Sequence, residues 1–268
     1  MKTICIIQGR MAASRLPGKV LLDLGGQPML GRVVERLRRA RTLDGFIVAT
    51  TRDPSDDPVE KYCRDQGYSV FRGEMFDVLD RFYQAACQVQ AGIVVRVTAD
   101  CPVIDPGLID LTVNEFTRTA ADFGANRLPP PWKRTYPIGL DVEVCTFQAL
   151  ERAWKESDQK FQREHVMPYF YEGIPADAFD MARNSLAVSP RGFRVLLVNH
   201  PSDHGSLRWT VDTPQDLELM RRVYARFDGR DDFSWMDVLD LFQREPGLAH
   251  LNAGIRHKTA FDVDERSK

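Results

Sequence analysis

The chain has 268 residues, 43% of them hydrophobic and 28% charged, with a formal net charge of −2. This is ordinary globular composition with room for one large α/β domain, and it excludes an overall basic field that would gather nucleic acid. No apolar run approaches the roughly 18 residues of a membrane span, and Met1-Lys2 leads into apolar sequence with no basic, apolar and cleavable pattern. The cysteines (Cys5, Cys63, Cys87, Cys101 and Cys145) are odd in number and show no C-x-x-C or Cys/His spacing. Neither a disulfide framework nor structural zinc is expected, and a reducing cytoplasm is the expected setting.

In chain order, Thr3–Ile7 reads as a buried strand. Met29, Leu30, Val33, Val34 and Leu37 mark one face of a helix. The run 45–50 is a second apolar strand. Asp57-Pro58 opens a helix ending near Gly67, with Asp57 as cap. A short strand at 69–71 precedes a helix over 77–90, and 92–97 is a further strand. Asp105 caps a helix through Thr119. Strands alternating with helices of this length predict a mostly parallel sheet with right-handed crossovers. The second half is less regular. Leu128-Pro129-Pro130-Pro131-Trp132 predicts a surface loop, 139–147 an alternating strand, 147–157 and 164–171 helices, and 193–198 a strand. Thr213-Pro214 opens a helix to about Phe227, and another spans 234–244. One domain over 1–250 is the simplest partition, with a nucleotide half at about 1–125 and a flexible tail at 251–268.

Charge is unevenly spread: residues 1–41 hold nine Lys/Arg against two Asp/Glu. Arg32, Arg36, Arg38, Arg39 and Arg41 fall on the first helix and read as a solvated face. Arg10, Arg15 and Lys19, with Ser14, fall on a loop just past the first strand, among small or apolar residues. In open parallel sheets ligands bind beyond the carboxyl ends of the strands, so these cations are placed to hold a polyphosphate. The loop is not a Walker A motif, because Ala13 and Val20 stand where that motif needs Gly and Ser/Thr, nor is it G-x-G-x-x-G.

The segment I-I-Q-G-R-M-A-A-S-R-L-P-G-K (6–19) resembles the signature of the sugar cytidylyltransferases, which include the CMP-Kdo and CMP-sialic acid synthetases. Segments 71–82 (F-R-G-E-M-F-D-V-L-D-R-F), 96–106 (R-V-T-A-D-C-P-V-I-D-P), 136–144 (Y-P-I-G-L-D-V-E-V), 163–169 (R-E-H-V-M-P-Y) and 207–218 (L-R-W-T-V-D-T-P-Q-D-L-E) follow in register. Together they look closest to the spore-coat SpsF-type branch, over about residues 3–225. Gly9 departs from that branch, which usually has Ala, and is expected to leave room for nucleotide.

The resemblance implies a Rossmann-like nucleotide-diphospho-sugar transferase fold. It also implies transfer of a cytidylyl group from CTP, with Mg²⁺, to a sugar or sugar-like acid for surface polysaccharide synthesis. Arg10, Arg15 and Lys19 suit the β- and γ-phosphates. Ile7, Gln8, Gly9, Ser14 and Arg81 are the further nucleotide contacts expected. Mg²⁺ takes one or two carboxylates and keeps several waters. Asp100 follows a strand, and Asp212 is left free because Thr213 fits the helix cap; in the resembling synthetases these two positions hold the metal. Asp141 and Glu143, two apart on one strand face, could meet acceptor hydroxyls or a second metal, or face solvent. Glu164 and His165, opening a helix, and Arg208 are the other acceptor candidates. Asp77 is a helix cap or a base contact, and Asp80 a solvated helix residue. The acceptor and interface subregion is about 126–205, and 206–228 carries the second metal ligand. The resemblance implies a homodimer, and the apolar 128–147 region, with Trp132, Tyr136 and Ile138, could contribute an interface. The alternatives are another nucleotide or acceptor, a non-catalytic nucleotide-binding subunit, and a glycosyltransferase-like protein, for which D-V-E (141–143) is an imperfect D-x-D.

Overall fold

The computed structural model describes residues 1–255. Eight strands among the described residues form one sheet: β1 (Thr3–Gln8), β2 (Gly45–Thr51), β3 (Val70–Gly73), β4 (Ile93–Thr98), β5 (Phe123–Ala125), β6 (Glu143–Thr146), β7 (Ser185–Val188) and β8 (Arg194–Leu197). Their order is β3-β2-β1-β4-β6-β5-β8-β7. The first four are parallel to one another, with Ile6 opposite Ile47 on one side and Arg96 on the other. β6 runs antiparallel to β4 and β5, and β7 antiparallel to β8. The chain goes outward from β1 to β3 and then returns to place β4 on the other flank of β1. That reversal opens a crevice at the carboxyl ends of β1 and β4.

Helices cover both faces, so the central strands are apolar without alternation. Cys5 and Ile7 point to one core, and Ile4 and Ile6 to the other. The first core packs α1 (Met29–Leu37), α2 (Asp57–Asp65) and α4 (Pro106–Thr119), joined by α8 (Pro214–Arg226), α9 (Trp235–Arg244) and α10 (Gly247–His250). The second packs α3 (Val78–Val89), α5 (Phe147–Glu156), α6 (Lys160–His165) and α7 (Pro168–Tyr171).

Several expectations are revised. Strands β5 and β7 were not foreseen, and the strand expected from 139 begins only at Glu143, because Asn126 takes the Val142 N–H and the Leu140 carbonyl. Glu164 and His165 end α6 rather than opening a helix: Val166, at φ 71°, breaks the chain between α6 and α7. Asp57 is not a cap; Asp53 caps a 3₁₀ turn (Pro54–Asp56) that runs into α2. Arg32 and Arg36 are buried, not solvated. Their guanidiniums satisfy carbonyls of Leu24, Gly229, Ile104, Asp231 and Phe233, which a short alkyl cation could not reach together. Arg38, Arg39 and Arg41 are exposed, as expected. Asp80 accepts from Trp154 Nε1 at 2.9 Å. Tyr136 packs on Trp235, Trp132 on Tyr171, and Ile138 lines the crevice, so these three are not a free apolar surface. Within the expected tail, Asn252 is buried and donates to Arg208 O and to Asp216; residues 256–268 lie outside the described residues.

Candidate active site

The loop after β1 is held at both flanks. Gly9 N–H donates to Ala49 O, and Ala99 N–H to Gln8 O, which extends the parallel ladder past the strands. Asp56, fully buried at the end of the 3₁₀ turn that follows β2, accepts from Met11 N at 2.7 Å and from Thr51 N at 3.0 Å. Gly18, at φ 73°, turns the chain into a 3₁₀ turn (Lys19–Leu21) that drives Lys19 inward. An added Cβ on Gly9 would meet Ala99 Cβ at 2.8 Å. The small residue therefore lets the loop close on β4, and it does not open space for a ligand, contrary to expectation.

Lys19 Nζ donates to Asp100 Oδ2 at 2.6 Å, to Asp212 Oδ1 at 2.7 Å and to Val211 O at 2.9 Å. The two aspartates, 112 residues apart in sequence, meet because the 209–211 segment lies along the turn after β4: Val211 N–H donates to Asp100 O at 2.8 Å and Thr210 Oγ1 to the same oxygen at 3.2 Å. Arg15 and Arg208 reach the second oxygen of Asp212 at 2.9 and 2.7 Å. Burial works against the Asp212 charge, but Lys19, Arg208 and Arg15 outweigh it and hold the carboxyl well below the usual range. Burial likewise opposes the Lys19 charge, and the two carboxylates overcome it, raising the ammonium.

A cleft of about 390 Å³ opens beside this cluster. Arg10, Arg15, Gln8 and Arg81 line it together with Asp100, Asp212, Asp141, Glu143, Glu164 and His165. Lys19 and Arg208 are buried and do not line the cleft; Lys19 pairs with Asp100 and Asp212, and Arg208 with Asp212. Ile7 is buried in the strand and Ser14 is exposed on the loop, and neither lines the cleft. Arg81 is buried, its Nη1 donating to Glu74 O at 2.5 Å; burial and the nearby Arg10 charge lower its guanidinium to about 10.

Asp141 and Glu143 are neither solvent-facing nor free. Arg127 meets Asp141 at 3.1 Å, and Arg134 meets its other oxygen. Arg96 bridges Glu143 to Gln8, reaching Gln8 Oε1 at 2.9 Å. Asp77 caps α3 through Asp80 N–H at 2.9 Å and also receives Arg163, Nε to Oδ1 at 3.0 Å, which ties α6 with Glu164 and His165 to the cleft rim. Arg96, Arg127, Arg134 and Asp56 were missed by sequence reasoning. Arg96 did carry a signal, as a cation inside the apolar strand I-V-V-R-V-T. The other three sit in loops, where pairing depends on what folds opposite.

A parallel sheet with a cation-lined crevice at its switch point, and two carboxylates converging there, defines a nucleotide-binding α/β transferase. The comparisons are specific. Residues 4–181 match the cytidylyltransferase family model. The chain is 39% identical over 248 residues to 3-deoxy-manno-octulosonate cytidylyltransferase of Anaeromyxobacter dehalogenans, covering 82% of this chain and 96% of the relative. It is 29% identical over 257 residues to spore coat polysaccharide biosynthesis protein SpsF of Bacillus subtilis, covering 91% and 95%. A solved cytidylyltransferase from Leptospira borgpetersenii superposes with a TM-score of 0.82 at 30% identity, covering 96% of this chain and all of that one. The chain belongs to the cytidylyltransferase family and is a CTP-dependent nucleotidyltransferase. No helix among the described residues is long and apolar enough to cross a membrane.

Proposed function

We propose that this enzyme joins the cytidylyl group of CTP to a hydroxyl of a sugar or sugar-like acid, releasing pyrophosphate, in the synthesis of a surface polysaccharide. The observation that carries the reading is the meeting of Lys19, Asp100 and Asp212 beside a cleft that is also lined by paired carboxylates and arginines. The acceptor oxygen attacks the α-phosphorus, the bond from that phosphorus to the bridging oxygen breaks, and pyrophosphate leaves with the electron pair. The hydroxyl proton passes to solvent. Arg10, Arg15 and Lys19 bind the β- and γ-phosphates and neutralise the charge that grows on the leaving group. Gln8 and Arg81 form the base end, and Asp141, Glu143, Glu164 and His165 the acceptor end. Arg208 orients Asp212.

The donor set fits a divalent ion. Two carboxylate oxygens converge on one cation position, and Mg²⁺ takes one or two carboxylates with water or phosphate oxygens for the rest. Among the described residues no group of three or more His, Cys, Asp or Glu gathers to make a fuller protein cage. Asp100 and Asp212 would hold the ion, which supplies charge neutralisation at the α-phosphoryl oxygen. The homodimer belongs to the same reading and rests on family resemblance; light scattering on the pure protein tests it. Cytoplasmic residence is supported by the free state of all five cysteines.

The decisive experiment measures pyrophosphate release with CTP, UTP, GTP and ATP against a panel of sugar acids, neutral sugars and sugar phosphates. Turnover with CTP and a sugar acid is expected. Turnover confined to neutral sugars or sugar phosphates would overturn the acceptor assignment.

A further inference from the structure

We propose that Lys19 is a built-in stand-in for the divalent cation. In the nucleotide-free protein its ammonium fills the position between Asp100 and Asp212, a metal ion enters only by expelling it, and the triphosphate receives the expelled ammonium. The inference rests on the reading of Asp100 and Asp212 as the metal ligands.

The ammonium has three N–H donors, and all three are spent, on Asp100 Oδ2, Asp212 Oδ1 and Val211 O. While it stays there, Lys19 has no donor left for a phosphate. The remaining carboxylate oxygens are engaged elsewhere: Asp100 Oδ1 accepts from Thr98 Oγ1 at 2.6 Å, and Asp212 Oδ2 from Arg15 and Arg208. The two oxygens that converge on one point are therefore those that Lys19 already holds. Charge leads to the same conclusion. Asp100, Asp212 and Asp216 face Lys19, Arg15 and Arg208, three carboxylates against three cations, so a divalent ion added to the complete set would enter a cluster already balanced.

Lys19 is 8% exposed, so the displaced ammonium cannot be left unpaired at low cost. A triphosphate in the adjoining cleft offers new oxygens. Metal and triphosphate binding are then coupled, and linkage requires each to strengthen the other by the same factor. The nucleotide-free site is thereby kept closed to metal.

The test is Mn²⁺ binding, followed by electron paramagnetic resonance and calorimetry, in wild type and Lys19→Met, with and without the α,β-methylene analogue of CTP. Without nucleotide, Lys19→Met is expected to bind Mn²⁺ about tenfold or more tightly than wild type, the scale of a typical coupling. The analogue should strengthen Mn²⁺ binding in wild type by a factor about tenfold larger than in the variant. Lys19→Gln, neutral yet still able to donate two hydrogen bonds from its amide, serves if Lys19→Met does not fold, and should behave the same way. Mn²⁺ should also raise the melting temperature of the nucleotide-free variants more than that of wild type. Equal nucleotide-free affinities, or equal coupling factors, overturn the proposal while leaving Asp100 and Asp212 as ligands. If no protein binds Mn²⁺ even with the analogue, both the proposal and the ligand assignment fall. Neither result touches the choice of acceptor, which the pyrophosphate assay decides.

Discussion

Arg208 and Asp216 are joined by two parallel hydrogen bonds, Nε to Oδ1 at 3.0 Å and Nη2 to Oδ2 at 3.1 Å, with Asp216 wholly buried. The same Nη2 donates to Asp212 Oδ2 at 2.7 Å. Asp216 also completes the capping box of α8 with Thr213. Burial opposes its charge, but Arg208 and Asn252 overcome that and lower the carboxyl. One buried carboxylate thus fixes the start of a helix and aims the arginine that orients Asp212.

Asp216→Ala leaves Arg208 buried without that partner, and breaking such a pair costs about 3–5 kcal/mol. Thr213→Ala removes only the cap hydroxyl and should cost about 1 kcal/mol. Urea denaturation midpoints of the two variants check the ranking; equal losses would show that the ion pair adds nothing beyond capping.

The contact between Gly9 and Ala99 allows a compensation test. Gly9→Ala puts a methyl 2.8 Å from Ala99 Cβ, so one strand end must shift. A loss of about 1–3 kcal/mol is expected, as for other overpacked sites. Ala99→Gly in the same chain should recover much of it, giving a coupling energy that a double-mutant cycle measures. Additive losses would mean that the close approach is not what makes Gly9 necessary.

Asp100→Asn keeps the shape of the side chain while removing one negative charge from the pair that meets Lys19. Pyrophosphate release should fall on the order of a hundredfold or more, the scale for losing a preorganised charge contact, with the far-ultraviolet circular dichroism unchanged. Retained turnover would remove Asp100 from the ion-holding role.

His204 packs against Trp235 and His200 on the far side of Tyr136. Burial, and secondarily the charge of His200, lowers its imidazole from the ordinary value of 6.5. A base whose folded value is depressed contributes stability that is fully present above the unfolded value and lost as pH falls through the folded one. Denaturant midpoints at pH 7.5 and 5.5 should therefore fall further in wild type than in His204→Gln. A parallel fall in both proteins would place the sensitivity elsewhere.

Gly139 marks the limit of the alternating-strand reading. Its φ of 104° and the 2.5 Å approach of a would-be Cβ to Thr210 N mark a turn there, and the Asn126 side chain then holds Leu140 and Val142, so the regular strand starts only at Glu143. Nothing in the period of Leu140, Val142 and Val144 announces that turn, because period reports which face is buried and not where pairing stops. Strand β5, of three residues, fell below the length at which period is readable.

Most local signals were sound, the Asp57 cap being an exception. Apolar runs defined β1, β2 and β4, and Asp105 and Thr213 capped the helices expected of them. These follow from burial and backbone hydrogen bonding within a few residues. Only the tertiary structure decided the pairings that cross the chain. Arg32 and Arg36 became buried carbonyl clamps because 229–233 folds over α1, and Asp141 and Glu143 became paired because Arg127, Arg134 and Arg96 converge on them. A charged side chain's partner is set by which segment arrives opposite it, and Lys19 shows this most plainly. The sequence by itself marked it as a cation near phosphate, and the fold put it between Asp100 and Asp212.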